Sequence, residues 1–214
     1  MIVDERVSCY IKSLTACNSN FLEELREKAL EDKVPIIKRE TESLLKTLLL
    51  LKKPKKILEV GTAVAYSSLV MAEVLEGKTK ISTIENYEKR VLEARKNIAD
   101  SNYSNTIHLI EEDASKVLKE LVEKKEKYDF IFMDAAKGQY INWLEPVIKL
   151  LNKEGVLCSD NVLQGGDIVQ SRYLIERRDR SIHSRLREYL YELTHIEELS
   201  TTILSLGDGV ALTV

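Results

Sequence analysis

The stretch YDFIFMDAAKGQY, Tyr128 to Tyr140, decides how this chain is to be read. Phe130-Ile131-Phe132-Met133 is apolar at every position, the pattern of a central strand in a parallel sheet covered on both faces. The run ends in a carboxylate, Asp134, with Lys137 three residues further on. Open α/β sheets take their ligands just beyond the carboxyl ends of the strands, so both side chains are expected at the mouth of a site. A second acidic strand end, Leu157-Cys158-Ser159-Asp160-Asn161, follows about two dozen residues later.

Outward from this stretch the chain alternates strands and helices. Lys56 to Val60 reads as a strand, Gly61 to Tyr66 as a turn of small residues, and Ser67 to Glu76 as a helix that Gly77 closes. Strands are predicted over 80–85, 106–110 and 155–160, and helices over 87–99, 114–124 and about 140–151, with Asp113 placed to cap the third of these four helices. After Gln164-Gly165-Gly166-Asp167 the pattern predicts a long helix from about Val169 to Leu190. Two last strands, 197–204 and 209–214, flank Gly207-Asp208-Gly209, which has the residues of a tight hairpin turn. Residues 1–53 read as a helical segment interrupted at Pro35, with apolar stripes at Leu22, Leu25, Ala29 and at Leu44, Leu45, Leu48, Leu49. The expectation is one α/β domain over 1–214, a three-layer α/β/α sandwich on a Rossmann-like seven-stranded mixed sheet with right-handed crossovers and an antiparallel C-terminal hairpin.

The 214 residues are 44% hydrophobic and 31% charged with a net charge of -3, an ordinary folded composition without a global basic signature of nucleic-acid binding. Three cysteines without a CxxC pair suit a reduced, cytoplasmic setting. The N-terminal MIVDERVSCYIKSL carries acids early and is not expected to be a secretory signal. No stretch approaches the roughly 20 apolar residues of a membrane span, so no membrane partner is expected.

The turn Glu59-Val60-Gly61-Thr62-Ala63 keeps one glycine and is not GxGxxG, so the pyrophosphate cradle of a dinucleotide enzyme is missing. A cofactor without a pyrophosphate, such as S-adenosylmethionine, fits better. Glu85 ends the second strand where a carboxylate accepts from ribose hydroxyls, and Asp113 ends the third within reach of an adenine amino group. Taken singly, Glu59 and Glu85 read equally well as solvated strand ends, and Asp113 as a helix cap.

Asp134, Asp160 and Asn161 offer hard oxygen ligands, and the three histidines have no ligand spacing, which favours Mg²⁺, Mn²⁺ or Ca²⁺ over zinc. A cation on a substrate hydroxyl lowers its pKa, and Lys137 would accept or relay the proton. The bland readings are a turn or helix cap for the Asp-Asn pair and a solvated cation for Lys137.

Together, Glu59 to Ala63 with Tyr66-Ser67, Ile84-Glu85, Glu112-Asp113-Ala114, Met133 to Lys137 and Ser159 to Leu163 resemble the cation-dependent O-methyltransferases, the family of the catechol and caffeoyl-CoA enzymes. The resemblance runs from about Val34 to the end of the chain. It implies a class I methyltransferase fold and S-adenosylmethionine contacts from Val34, Glu59, Gly61, Tyr66, Ser67, Glu85, Asp113, Ala114 and Asp134. It also implies Mg²⁺ or Mn²⁺ on Asp134, Asp160 and Asn161, Lys137 as catalytic base, and a homodimer. The family commonly has a glycine where this chain has Ala65.

Within the family, Asp134 to Tyr140 and Asp160 to Leu163 are most similar to the bacterial tRNA 5-hydroxyuridine O-methyltransferases, which act at the anticodon wobble position. That base presents a 5-hydroxyl beside a 4-carbonyl, two adjacent oxygens like those of a catechol. Between Arg172 and Arg187, six arginines face two acids, a local charge of about +4 that suits an anticodon loop. Arg172, Arg177, Arg178 and Arg180 are the candidate tRNA contacts, against the plainer reading of a solvated helix face. The alternative substrate is a small catechol-like or caffeoyl-CoA-like molecule. A silent nucleotide- or RNA-binding module is a third reading, opposed by the presence together of Asp134, Lys137, Asp160 and Asn161.

Overall fold

The computed structural model describes residues 4–214. Residues 1–3 of the expected helical segment lie outside the described residues. Three helices precede the sheet: α1 Glu5–Leu14, α2 Asn20–Glu31 and α3 Arg39–Lys52. Asp4 caps α1 by accepting from the Arg6 N–H. Strands β1 Lys56–Val60, β2 Lys80–Glu85, β3 Ile107–Glu111, β4 Tyr128–Met133 and β5 Leu151–Asp160 follow. Between them run α4 Tyr66–Val74, α5 Glu88–Ala99, α6 Ala114–Glu123 and α7 Tyr140–Leu150. The chain closes with α8 Arg180–His195 and the hairpin β6 Thr201–Leu204 and β7 Val210–Thr213.

The seven strands form one sheet in the order β3-β2-β1-β4-β5-β7-β6. The first five are mutually parallel, and β7 runs antiparallel to both β5 and β6. This is the expected three-layer α/β/α architecture with its mixed sheet. Strand order reverses between β1 and β4, so the switch point opens a crevice at Gly61 and Asp134.

The period of two along each strand separates the core into two layers. Ile57, Phe130, Phe132 and Cys158 face α2, α3, α4 and α5, while Leu58, Ile131, Met133 and Leu157 face α6, α7 and α8. Leu45 and Leu49 of α3 are fully buried, a gain of roughly 1.5–3 kcal/mol each. The helical prelude is therefore part of the core. It is also pinned by charge. Glu42 is fully buried among Lys46 at 2.9 Å, Arg39 at 3.2 Å and Arg26 at 3.6 Å, and it accepts from the Tyr66 hydroxyl at 2.7 Å.

The helical segment breaks between α1 and α2 as well as near Pro35, β6 begins at Thr201 and not at 197, and two larger expectations need correction. Strand β5 begins at Leu151, four residues before Gly155, because a register shift opposite Asp129 extends its pairing with β4. The long helix from Val169 does not form, and α8 starts only at Arg180. Gly165 and Gly166 adopt left-handed backbone, Ser171 caps a separate 3-10 turn over Arg172–Leu174, and Ile175 is extended and buried. Val169, Tyr173 and Leu174 are 75–85% exposed, so a helix here would have no apolar face to bury. Among the described residues no helix is long and apolar enough to cross a membrane.

Candidate active site

A cavity of about 880 Å³ lies over the carboxyl ends of the parallel strands, roofed by residues 35–41 and bordered by Asp208 of the final hairpin. Its floor is the β1 turn. Gly61 has φ +99°, and a Cβ there would lie 2.1 Å from the Asp134 carbonyl oxygen, so this turn closes against β4 only with glycine. Ala65 is fully buried at φ 65° and ψ 21°, an alanine in the left-handed region where the resemblance has glycine. Tyr66 and Ser67 open α4 directly after it and line the cavity.

Glu85 lines the cavity, and its carboxylate accepts the Ala63 N–H at 2.9 Å and the Asn86 and Tyr87 N–H groups at 3.0 Å. It is an organised strand end, not a solvated one. Asp113 caps α6 through the Ser115 N–H at 2.9 Å, as expected, and it lines the cavity beside Ala114. Two other expectations do not hold geometrically. Val34 is buried in the helical core away from the cavity, whose wall is built by its neighbours Pro35 to Lys38. Glu59 lies beneath the floor, fully buried, and accepts from Ser67 Oγ at 2.5 Å, from Thr83 Oγ1 at 2.5 Å and from Ser68. Burial, with the Asp134 charge nearby, pushes its carboxyl up to about 7 against three hydroxyl donors that pull it down. A strand-end carboxylate on the inward pleat reaches the helix that follows, and Glu59 orders Ser67 from below.

The two acidic strand ends meet as expected. Met133 and Ser159 are register partners in β4 and β5, which brings Asp134 and Asp160 to one wall of the cavity. Asp160 is 2% exposed, and its side chain accepts one hydrogen bond among the described residues, from the Asn161 N–H at 2.8 Å. Burial and the Asp134 charge push its carboxyl up to about 7, and Lys137 and that N–H act against them. Asn161, at φ 58°, turns its amide into the same wall. Among the described residues no group of three or more His, Cys, Asp or Glu gathers for a metal. The donors here are two carboxylates and an amide, and a buried carboxylate with one hydrogen bond beside a second carboxylate is a place that a hard divalent cation fits.

Lys137 Nζ donates to Asp134 Oδ1 at 2.6 Å and to the Tyr140 hydroxyl at 3.3 Å. Tyr140 is fully buried, and its hydroxyl donates to the Met133 carbonyl at 2.9 Å. Burial and the Asp134 charge drive that phenol well above its ordinary range, so it stays a neutral anchor. The anchoring role of Tyr140, three residues after Lys137 in the opening stretch, is missed from sequence alone. Trp143 was also missed. It lines the cavity near Asp113, with its indole N–H on Ser115 Oγ at 2.9 Å, and sits one helical turn beyond Tyr140.

The candidate tRNA contacts do not form one helix face. Arg172, Arg177 and Arg178 precede α8, and Arg178 pairs with Glu176 at 3.0 Å and Asp179 at 3.4 Å. Arg180 is half-buried and holds the Ile175 carbonyl at 3.0 Å, so its guanidinium stabilises the loop before the helix. Arg172 and Arg177 are exposed and carry no ion pair among the described residues.

The O-methyltransferase family profile matches residues 12–214. A caffeoyl-CoA O-methyltransferase of Citrus natsudaidai is 31% identical over 171 residues, covering 74% of this chain and 70% of the relative. A flavonoid 3',5'-methyltransferase of Vitis vinifera is 31% identical over 172 residues, covering 77% of this chain and 72% of the relative. The solved structure of a Staphylococcus aureus protein, provisionally named a caffeoyl-CoA O-methyltransferase, is 31% identical with a TM-score of 0.89, covering 98% of this chain and 99% of that one. With matched residues running through the strand ends that build the cavity, the chain belongs to the O-methyltransferase family.

Proposed function

We propose that the protein is a cation-dependent O-methyltransferase that takes its methyl group from S-adenosylmethionine and acts on a substrate with two adjacent oxygens. The observation that carries this reading is the meeting of Asp134, Lys137, Asp160 and Asn161 on one cavity wall beside the Gly61 turn. Gly61, Ser67, Glu85, Asp113 and Ala114 would receive the cofactor, with Glu85 toward the ribose and Trp143 walling the adenine end. Asp134, Asp160 and Asn161 would hold Mg²⁺ or Mn²⁺, which supplies acidity to a coordinated substrate hydroxyl and orients its neighbour. Lys137 is held by Asp134 and Tyr140 where, as the free amine, it would take that hydroxyl's proton, and S-adenosylmethionine would supply the methyl group to the oxygen so freed.

For the substrate, the relatives named for caffeoyl-CoA and flavonoids favour a small vicinal diol on an aromatic ring. A second reading, 5-hydroxyuridine in a tRNA anticodon loop, rests on Tyr173, which is 85% exposed between Arg172 and Arg177, where it could stack on a base while the arginines meet phosphates. Labelled cofactor with Mg²⁺ and, in parallel, catechol, a caffeoyl thioester and tRNA carrying 5-hydroxyuridine separates the two. Label in tRNA alone selects the second reading, label in the diols alone the first, and label in none of them removes the vicinal-oxygen proposal.

A further inference from the structure

The final hairpin reaches into the site from the far edge of the sheet. Asp208 lies between Gly207 at φ 59° and Gly209 at φ 92°, and its backbone is fastened to the loop after β5. The Leu163 N–H donates to the Asp208 carbonyl at 3.0 Å, and the Val162 N–H to the Gly209 carbonyl at 3.0 Å. A Cβ on Gly209 would come within 2.3 Å of Leu163 Cγ, so hairpin and loop are in close contact. The side chain adds two bonds. Asp208 Oδ2 accepts from Asn161 Nδ2 at 3.2 Å, and Oδ1 accepts from Lys38 Nζ at 2.7 Å.

A carboxylate can only accept, so the atom of the Asn161 amide that faces Asp208 must be the nitrogen. The flipped amide would set its oxygen against a carboxylate oxygen with no proton between them. The amide oxygen is thereby turned away from Asp208, and it makes no hydrogen bond among the described residues. An amide ligand binds a hard cation through oxygen alone, so its usefulness depends on which way it is turned. Lys38, from the connection between α2 and α3, holds the other carboxylate oxygen and stops Asp208 from rotating away.

We propose that Asp208 is a positioning residue of the cation site, fixing the Asn161 amide with its oxygen toward the cation. The inference rests on the cation-dependent reading above. Its test uses the full chain and Mn²⁺ itself, with free Mn²⁺ counted by electron paramagnetic resonance, alongside S-adenosylmethionine affinity and thermal melting. Asp208→Ala should weaken Mn²⁺ binding about 10- to 100-fold while cofactor affinity stays within about 2-fold. Asp208→Asn alone would give its single acceptor oxygen to the Lys38 ammonium, so the neutral control is the paired variant Lys38→Gln/Asp208→Asn, which leaves an acceptor oxygen for the Asn161 amide without charge and should recover most of the loss. Unchanged Mn²⁺ binding in Asp208→Ala overturns the inference alone. A paired Lys38→Gln/Asp208→Asn variant as weak as the alanine one also overturns it, because the effect would then be charge and not orientation. Parallel loss of cofactor binding and melting temperature in both variants would reduce Asp208 to a fold residue. Absence of Mn²⁺ binding in the unaltered protein would remove the cation reading and this inference with it.

Discussion

Lys137 Nζ stands 2.6 Å from Asp134 Oδ1, two residues of one strand end whose side chains converge because a 3-10 turn follows β4. The contact places an ammonium group against one of the proposed cation ligands. A lysine in this place has two separable roles, charge balance and proton transfer. Lys137→Ala is expected to lower kcat by about 10² to 10⁴ with cofactor affinity little changed. Lys137→Arg keeps the positive charge but cannot deprotonate, so it should be as slow as the alanine variant. Single-turnover methyl transfer checks both, and a near-normal rate for Lys137→Arg would leave only the charge-balance role.

Gly61 makes a prediction about the floor. Alanine there must adopt φ +99° and place its methyl carbon 2.1 Å from the Asp134 carbonyl oxygen. Left-handed strain of roughly 1–2 kcal/mol adds to overpacking of about 1–3 kcal/mol. Gly61→Ala should lose stability by about 2–5 kcal/mol in urea unfolding and lose cofactor binding, because the shift displaces Asp134 itself. Cofactor affinity unchanged from the unaltered protein would show that the turn is more compliant than its geometry implies.

Glu59 makes the pH prediction. Its folded pKa of about 7 lies above the ordinary 4.5, so between those values the native state keeps a proton that the unfolded chain releases. The associated stability is complete below about 4.5 and is lost as pH rises through 7, on the order of 3 kcal/mol. Glu59→Gln has no proton to lose there. Urea unfolding of the cation-free protein from pH 5 to 8 should show the unaltered chain losing stability faster than Glu59→Gln, since Asp160 contributes a similar trend to both. Parallel slopes would mean that Glu59 is ionised throughout.

The central strand, the acidic strand ends and the hairpin were legible because each rests on local pattern. An all-apolar run ending in a carboxylate names its own place in a parallel sheet, and Gly207 and Gly209 announce a turn. The 169–190 segment was not legible, because its apolar residues suggested a buried face that the sheet does not offer at Val169, Tyr173 and Leu174. Glu59 is near the cavity but beneath its floor, since sequence position does not say which way a strand-end side chain points, and Val34, in the connection between α2 and α3, turns into the core. Asp208 and Lys38 were out of reach for another reason. They lie 170 positions apart, and only the folded chain brings them together beside Asn161.

The most direct test of the central claim is methyl transfer from labelled S-adenosylmethionine to a vicinal diol, with the cation stripped by excess EDTA and then replaced. Asp134, Asp160 and Asn161 as cation ligands predict loss of turnover in EDTA, return of the full rate with Mg²⁺ or Mn²⁺, and no return in Asp160→Ala. Turnover at the full rate in EDTA would contradict the account.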